Sequence, residues 1–265
     1  MAASAARHAD SHAHLTMEPF DADREEVIAR ARDAGLAHVV TVSSLIGDAE
    51  RCADLAARHD LIHFTAGVHP HDARAWSDEV ARGVRRAAAR PKAVAIGEIG
   101  LDYHYDRSPR PHQQRAFREQ IGLARDLRLP IVVHTREAWE DTFRILEEER
   151  AGEMGGIFHC FSGGREEARR CLDLGFYLSF AGPVTFRKAE MLGEAAAYVP
   201  LERLLTETDA PYLSPHPFRG RRNEPARVVL VAEKIAELRG IAVGEVGEAA
   251  ARNLEMVFRI NSRSA

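Results

Sequence analysis

Apolar runs of four to seven residues alternate along the chain with longer stretches whose apolar side chains recur every three or four positions. The short runs read as strands buried on both faces and the longer ones as helices covering them, the pattern of a parallel sheet with crossover helices. Eight strands are predicted, near 9–15, 37–42, 62–68, 93–98, 131–134, 155–159, 176–180 and 203–208. Helices are predicted near 23–34, 47–59, 76–90, 110–128, 137–150, 165–174, 187–198 and 225–239, with an extra outer helix over 243–260. In the first of these Val27, Ile28, Ala31 and Ala34 share a face, and Gly35 supplies the stop. No Ser/Gly linker, low-complexity tract or composition shift interrupts the eight units. The expectation is an α/β chain forming a single (β/α)8 TIM-barrel domain over 1–265. A doubly wound open sheet is the alternative, but only closure makes the first and eighth strands neighbours.

Several of these strands end in a group that can bind a cation. They are Asp10-Ser-His12-Ala-His14, Glu98 after AVAIG, His134 after IVV, His159 after GIF, and Glu207-Thr-Asp209 after LLT. Side chains alternate along a strand, so His12 and His14 project the same way and can grip one ion. A lone His-x-His carries little weight. Imidazoles and carboxylates at the ends of several parallel strands are another matter, because barrels assemble catalytic sites at that end.

Composition narrows the functional classes. Net charge is −4 with a pI near 6.4, so the chain as a whole does not attract polyanions, and any phosphate must be held locally. Basic residues number 36, of which only Lys92, Lys188 and Lys234 are lysine, a bias that reads as coding preference rather than a binding surface. Cys52, Cys160 and Cys171 are odd in number and form no Cys-x-x-Cys, which predicts reduced thiols in the cytoplasm. The first ten residues lack the apolar core of a leader, and no 18-residue apolar stretch predicts a membrane span. No extra apolar stripe stands out, which favours a monomer.

The motifs resemble the TatD family of metal-dependent hydrolases and deoxyribonucleases. The resemblance runs in order through DSHAH at 10–14, GVHP at 67–70, GEIGLDY at 97–103, VHTR at 133–136, HCFSG at 159–163, ETDAP at 207–211 and RGRRNEP at 219–225, with Asn253 also fitting. It implies a (β/α)8 barrel, two divalent metal ions (Zn, Mn, Mg, Ni or Co) and two-metal hydrolysis of DNA phosphodiesters, exonucleolytic on single-stranded or frayed ends. Carried over by position, His12, His14 and Asp209 would hold one metal, His134 and His159 the other, and Glu98 would bridge them. Glu98 and Asp209 are then the catalytic candidates, Asp209 also orienting or deprotonating the attacking water. Two departures are mild. Ala13 stands where many relatives carry Cys, and Arg221 where Lys is usual, which replaces a point charge by a fork.

Softer assignments surround this set. His69, Arg136 and Arg222 are candidate phosphate contacts, the alternative for Arg136 being an ion pair with Glu98 or Asp209. His71 and His104 stay open. Glu207 is expected to orient a ligand histidine or to pair with an inward-facing arginine. Arg219, Arg221 and Arg222 form one basic cluster near the mouth, and Tyr103 and Phe161 are candidate platforms for a base. Three rivals remain: an amidohydrolase, a D-aminoacyl-tRNA deacylase using the same metals, and a binding protein without turnover. Many binuclear amidohydrolases bridge their ions with a modified lysine, and here Glu98 occupies that place. The complete ligand set argues against loss of turnover.

Overall fold

The computed structural model describes residues 7–43 and 45–260. The eight expected strands form one all-parallel sheet in sequential order: β1 (His8–Ala13), β2 (Leu36–Thr41), β3 (Ile62–Ala66), β4 (Ala93–Asp102), β5 (Ile131–Arg136), β6 (Gly156–Phe158), β7 (Tyr177–Phe180) and β8 (Leu204–Thr206). Helices alternate with them as α1 (Arg24–Asp33), α2 (Asp48–Arg58), α3 (Asp78–Ala88), α4 (Arg110–Leu127), α5 (Trp139–Glu148), α6 (Arg165–Asp173), α7 (Glu190–Tyr198) and α8 (Val228–Arg239). The added helix α9 (Val243–Phe258) is tied to the barrel by Asn253, whose amide donates to the carbonyls of Leu201 and Leu204, both at 2.8 Å. Every strand residue of β4 is buried, as a sheet covered on both sides requires. No described helix is long and apolar enough to cross a membrane. Most of the N-terminal stretch read for a leader lies outside the described residues.

The barrel closes where β8 has already ended. Ala13 and Ala210 form an isolated parallel bridge, with the His14 amide donating to Ala210 O at 2.7 Å and that of Asp209 to His12 O at 2.9 Å. Side chains complete the seam: Thr206 Oγ1 donates to Ala9 O, and Asp10 accepts from the amide and hydroxyl of Thr208 at 2.9 and 2.5 Å. Burial pushes the Asp10 carboxyl up to about 8. Asp10 therefore fastens the first strand to the last.

The strands differ from expectation mainly in length. β4 continues to Asp102 and β5 to Arg136, whereas β8 stops at Thr206. Pairing registers shift between Asp10 and Ala13 in β1 and between Ile96 and Ile99 in β4, the two places where His12 and Glu98 stand. Such irregularities re-aim a side chain out of the regular alternation.

Candidate metal centre

Five elements deliver the expected ligands to one place. His12 lies in β1 and His14 just past it, Glu98 in β4, His134 in β5, His159 directly after β6 and Asp209 after β8. On one side His12 Nε2 and His14 Nε2 face each other at 3.3 Å, with Asp209 Oδ1 3.3 Å from His14 and 3.7 Å from His12. On the other, His134 Nδ1 and His159 Nε2 are 3.1 Å apart. Glu98 stands between: Oε2 is 3.4 Å from His12, and Oε1 is 2.7 Å from His159 and 2.8 Å from His134. His12, His14 and Asp209 form one trio of converging donors, and His12, Glu98 and His159 another.

The charges explain how an acid stays ionised at 2% exposure. Burial favours the neutral form of Glu98, but His159, His69 and His12 outweigh it and hold the carboxyl well below its usual range. Burial likewise disfavours charge on His159, yet Glu98 and Glu207 lift it well above the ordinary imidazole value. Asp209 is pulled down against its burial by His14. Two pairs of ring nitrogens meeting head to head is an arrangement that imidazoles alone satisfy poorly, since both members cannot present lone pairs to each other. Divalent cations between them, shared with carboxylate, would satisfy all four, so the donor set fits metal.

Surrounding groups fix the rings. Asp102 Oδ2 lies 3.2 Å from His134 Nε2 and 3.0 Å from His71 Nε2, while its other oxygen accepts the amides of His104 and Tyr105. Glu207 is fully buried, faces His159 Nδ1 at 3.4 Å and accepts the Cys160 amide at 2.8 Å. No arginine pairs with it among the described residues. Asp102 is a site residue that strand alternation does not reveal, because β4 is irregular at Glu98; the signal for it is its place with Glu98 in the GEIGLDY motif at 97–103.

His69 joins Glu98 and His134 as a third converging trio, Nε2 being 3.4 Å from Glu98 Oε1. Its Nδ1, however, accepts the His71 amide at 3.1 Å, so the neutral ring carries its proton on Nε2. Burial pushes this imidazole down to about 4 despite Glu98. A neutral N–H donor is therefore aimed into the site.

These groups open into a cavity of about 770 Å³ whose wall also includes Arg74, Arg107, Arg136, Tyr105 and Tyr212. Arg136 packs its guanidinium 4.7 Å from the Tyr105 ring and pairs with neither Glu98 nor Asp209. Arg222 stands outside this wall. Asp23 engages both of its terminal nitrogens at 2.7 Å, Pro19 O accepts from it, and it packs over Phe20. The aromatic expectation also changes. Phe161 is buried, and Tyr103 bonds to Asp141 at 2.7 Å beneath Arg110, whereas Tyr105 and Tyr212 are about half exposed at the mouth.

A parallel barrel with imidazoles and carboxylates converging at one mouth defines the class of metal-dependent hydrolases. The family model described as TatD related DNase matches residues 9–259, and the chain belongs to the TatD family. It is 46% identical over 252 residues to the uncharacterized metal-dependent hydrolase YabD of Bacillus subtilis (strain 168), covering 95% of this chain and 99% of that one. It is 38% identical to the 3'-5' ssDNA/RNA exonuclease TatD of Erwinia tasmaniensis, covering 95% and 98%. Among solved structures, YJJV, a TatD homolog from Escherichia coli K12, superposes with a TM-score of 0.90 at 30% identity, covering 95% and 98%. The chain is a hydrolase acting on ester bonds.

Proposed function

We propose that this hydrolase cleaves nucleic-acid phosphodiesters with two divalent ions, removing nucleotides from single-stranded or frayed ends. The observation that carries the reading is the split of Glu98, with one oxygen toward His12 and the other toward His134 and His159. In this reading His12, His14 and Asp209 hold one ion, His134 and His159 the other, and Glu98 is shared. The ions, drawn from Zn, Mn, Mg, Ni or Co, supply Lewis-acid activation of the phosphate and of water when bound.

The chain's own groups do the rest. Asp209, beside His14, orients the attacking water and accepts its proton. His69 donates its Nε2–H to a phosphate oxygen, and Arg136 offers a guanidinium fork from the cavity wall. Glu207 steadies the His159 ring and Asp102 that of His134. Arg222, already bound by Asp23, serves as a structural tie rather than a substrate contact. The name carried by the Erwinia tasmaniensis relative supports single-stranded DNA or RNA as substrate and a 3' end as the start. Three free thiols, Cys52, Cys160 and Cys171, suit the reducing cytoplasm, where we place a monomeric enzyme.

The test uses metal-loaded protein on labelled single-stranded DNA, duplex DNA and a D-aminoacyl-tRNA. Wild type should degrade the single strand fastest and Glu98→Ala should not degrade it. Equal nuclease activity in Glu98→Ala, or turnover of the aminoacyl ester alone, would overturn the reading. Asp209→Asn should lower kcat by roughly 10²–10⁴-fold.

A further inference from the structure

We infer that the metal-facing cavity continues past Tyr212 and Leu213 into a second groove that holds the unpaired strand beyond the scissile phosphate. This rests on the phosphodiesterase reading and adds a binding subsite to it. The groove has a volume of about 580 Å³ and shares Tyr212 and Leu213 with the cavity that contains His14, Glu98 and Asp209. Its wall also carries Phe186, Arg219 and Arg221, and none of its lining residues is acidic.

Two arginines near this wall are compensated, Arg222 by Asp23 and Arg30 by Glu224. Arg219 and Arg221 are exposed, and among the described residues no carboxylate pairs with either. Arg219 instead lies with its guanidinium 4.1 Å from the Phe186 ring centroid. Two forks without a carboxylate partner, on a protein of net charge −4, form a local positive site beside the cavity lined by Glu98 and Asp209.

The chemistry of the occupant follows from the pairing of groups. Guanidiniums bind phosphate oxygens bidentately, Phe186 supports the Arg219 guanidinium from beneath, and the half-exposed Tyr212 offers a ring face on which an unpaired base can stack. A duplex presents its bases only to one another, so stacking selects a single strand. The shared wall at Tyr212 and Leu213 makes the groove the continuation of the scissile site, so it takes the neighbouring nucleotides of the same strand. An acidic peptide would find the cations but no reason for the link to the metal-facing cavity.

The experiment compares the metal-loaded wild type with Arg219→Ala/Arg221→Ala on a deoxydinucleotide and on a ten-nucleotide single strand of DNA, at several salt concentrations. The double variant should raise KM for the ten-mer on the order of tenfold more than for the dimer. The slope of log KM against log salt for the ten-mer should become shallower by about 1.4, two phosphate contacts at roughly 0.7 each. Tyr212→Leu, which keeps an apolar filler, should shrink the preference for a normal over an abasic ten-mer. Equal KM changes on both substrates with an unaltered salt slope would overturn the groove while leaving the phosphodiesterase reading intact. A wild type that cleaves neither substrate would overturn both.

Discussion

Asp102 holds a carboxylate oxygen 3.2 Å from Nε2 of His134, on the side of the ring opposite the nitrogen that faces Glu98 and His159. The carboxylate is itself pinned by the amides of His104 and Tyr105, so it acts as a fixed post against which the imidazole is oriented. Burial disfavours its charge, but His134 and His71 pull it far below the usual carboxylate range. Asp102→Ala should therefore weaken metal retention at the His134 position by roughly 10–100-fold, leaving the ion at His14 and Asp209 in place. Competitive chelator titration with metal analysis checks this. Undiminished retention of both ions would remove Asp102 from the site.

His69 and Glu98 separate two roles that distance alone leaves mixed. A ring nitrogen 3.4 Å from Glu98 suits a ligand, but the Nδ1 bond to the His71 amide puts the proton on Nε2. A protonated nitrogen donates and does not ligate. His69→Ala should then keep the wild-type metal content and raise KM for single-stranded DNA by about tenfold, the loss of one charge-assisted hydrogen bond. Loss of one metal equivalent in the variant would make His69 a ligand instead.

The barrel was legible because its strands are local objects: each is a short apolar run, and β1 through β8 pair in the order in which they occur. The convergence of candidate donors was legible for the same reason, since His12, Glu98, His134 and His159 each close or sit within such a run. What escaped depends on partners far away in sequence. Arg222 looks like any loop arginine until Asp23, 199 positions distant, takes its guanidinium. Tyr103 and Tyr105 are two residues apart and equally aromatic, yet Asp141 on α5 bonds one while the other stands about half exposed at the mouth. Strand ends were misjudged at β4 because Gly100 and Leu101 continue pairing with β5 beyond Glu98.

Gly100 makes that continuation feasible. Its φ is +143°, and a Cβ there would come within 2.0 Å of the His134 carbonyl oxygen. A methyl group cannot fit without parting β4 from β5, the strands that carry Glu98, Asp102 and His134. Gly100→Ala should cost several kcal/mol, on the scale of other strained or overpacked core sites, and lower the melting temperature by roughly 5 °C or more. Differential scanning calorimetry reads this directly. A variant that melts with the wild type and keeps its activity would mean that the two strands can separate locally at no cost.

His63 gives the fold a weakness toward acid, remote from the metal centre. Its Nε2 lies 3.2 Å from Nδ1 of His38, whose other nitrogen is 3.1 Å from Glu255. Burial, then His38 and Lys92, push the His63 imidazole down to about 3. An unfolded chain returns it to its ordinary value near 6.5, so the unfolded state binds the proton first. The stability it contributes is complete above about pH 6.5 and is lost as pH falls toward 3, with a slope of up to about 1.4 kcal/mol per pH unit. His63→Gln keeps a hydrogen-bonding group beside His38 but cannot take up that proton. Between pH 6.5 and 4.5, above the range where carboxylates dominate, the melting temperature of wild type should fall more steeply than that of His63→Gln. Parallel curves over that interval would show that His63 is protonated in the folded protein as readily as in the unfolded chain.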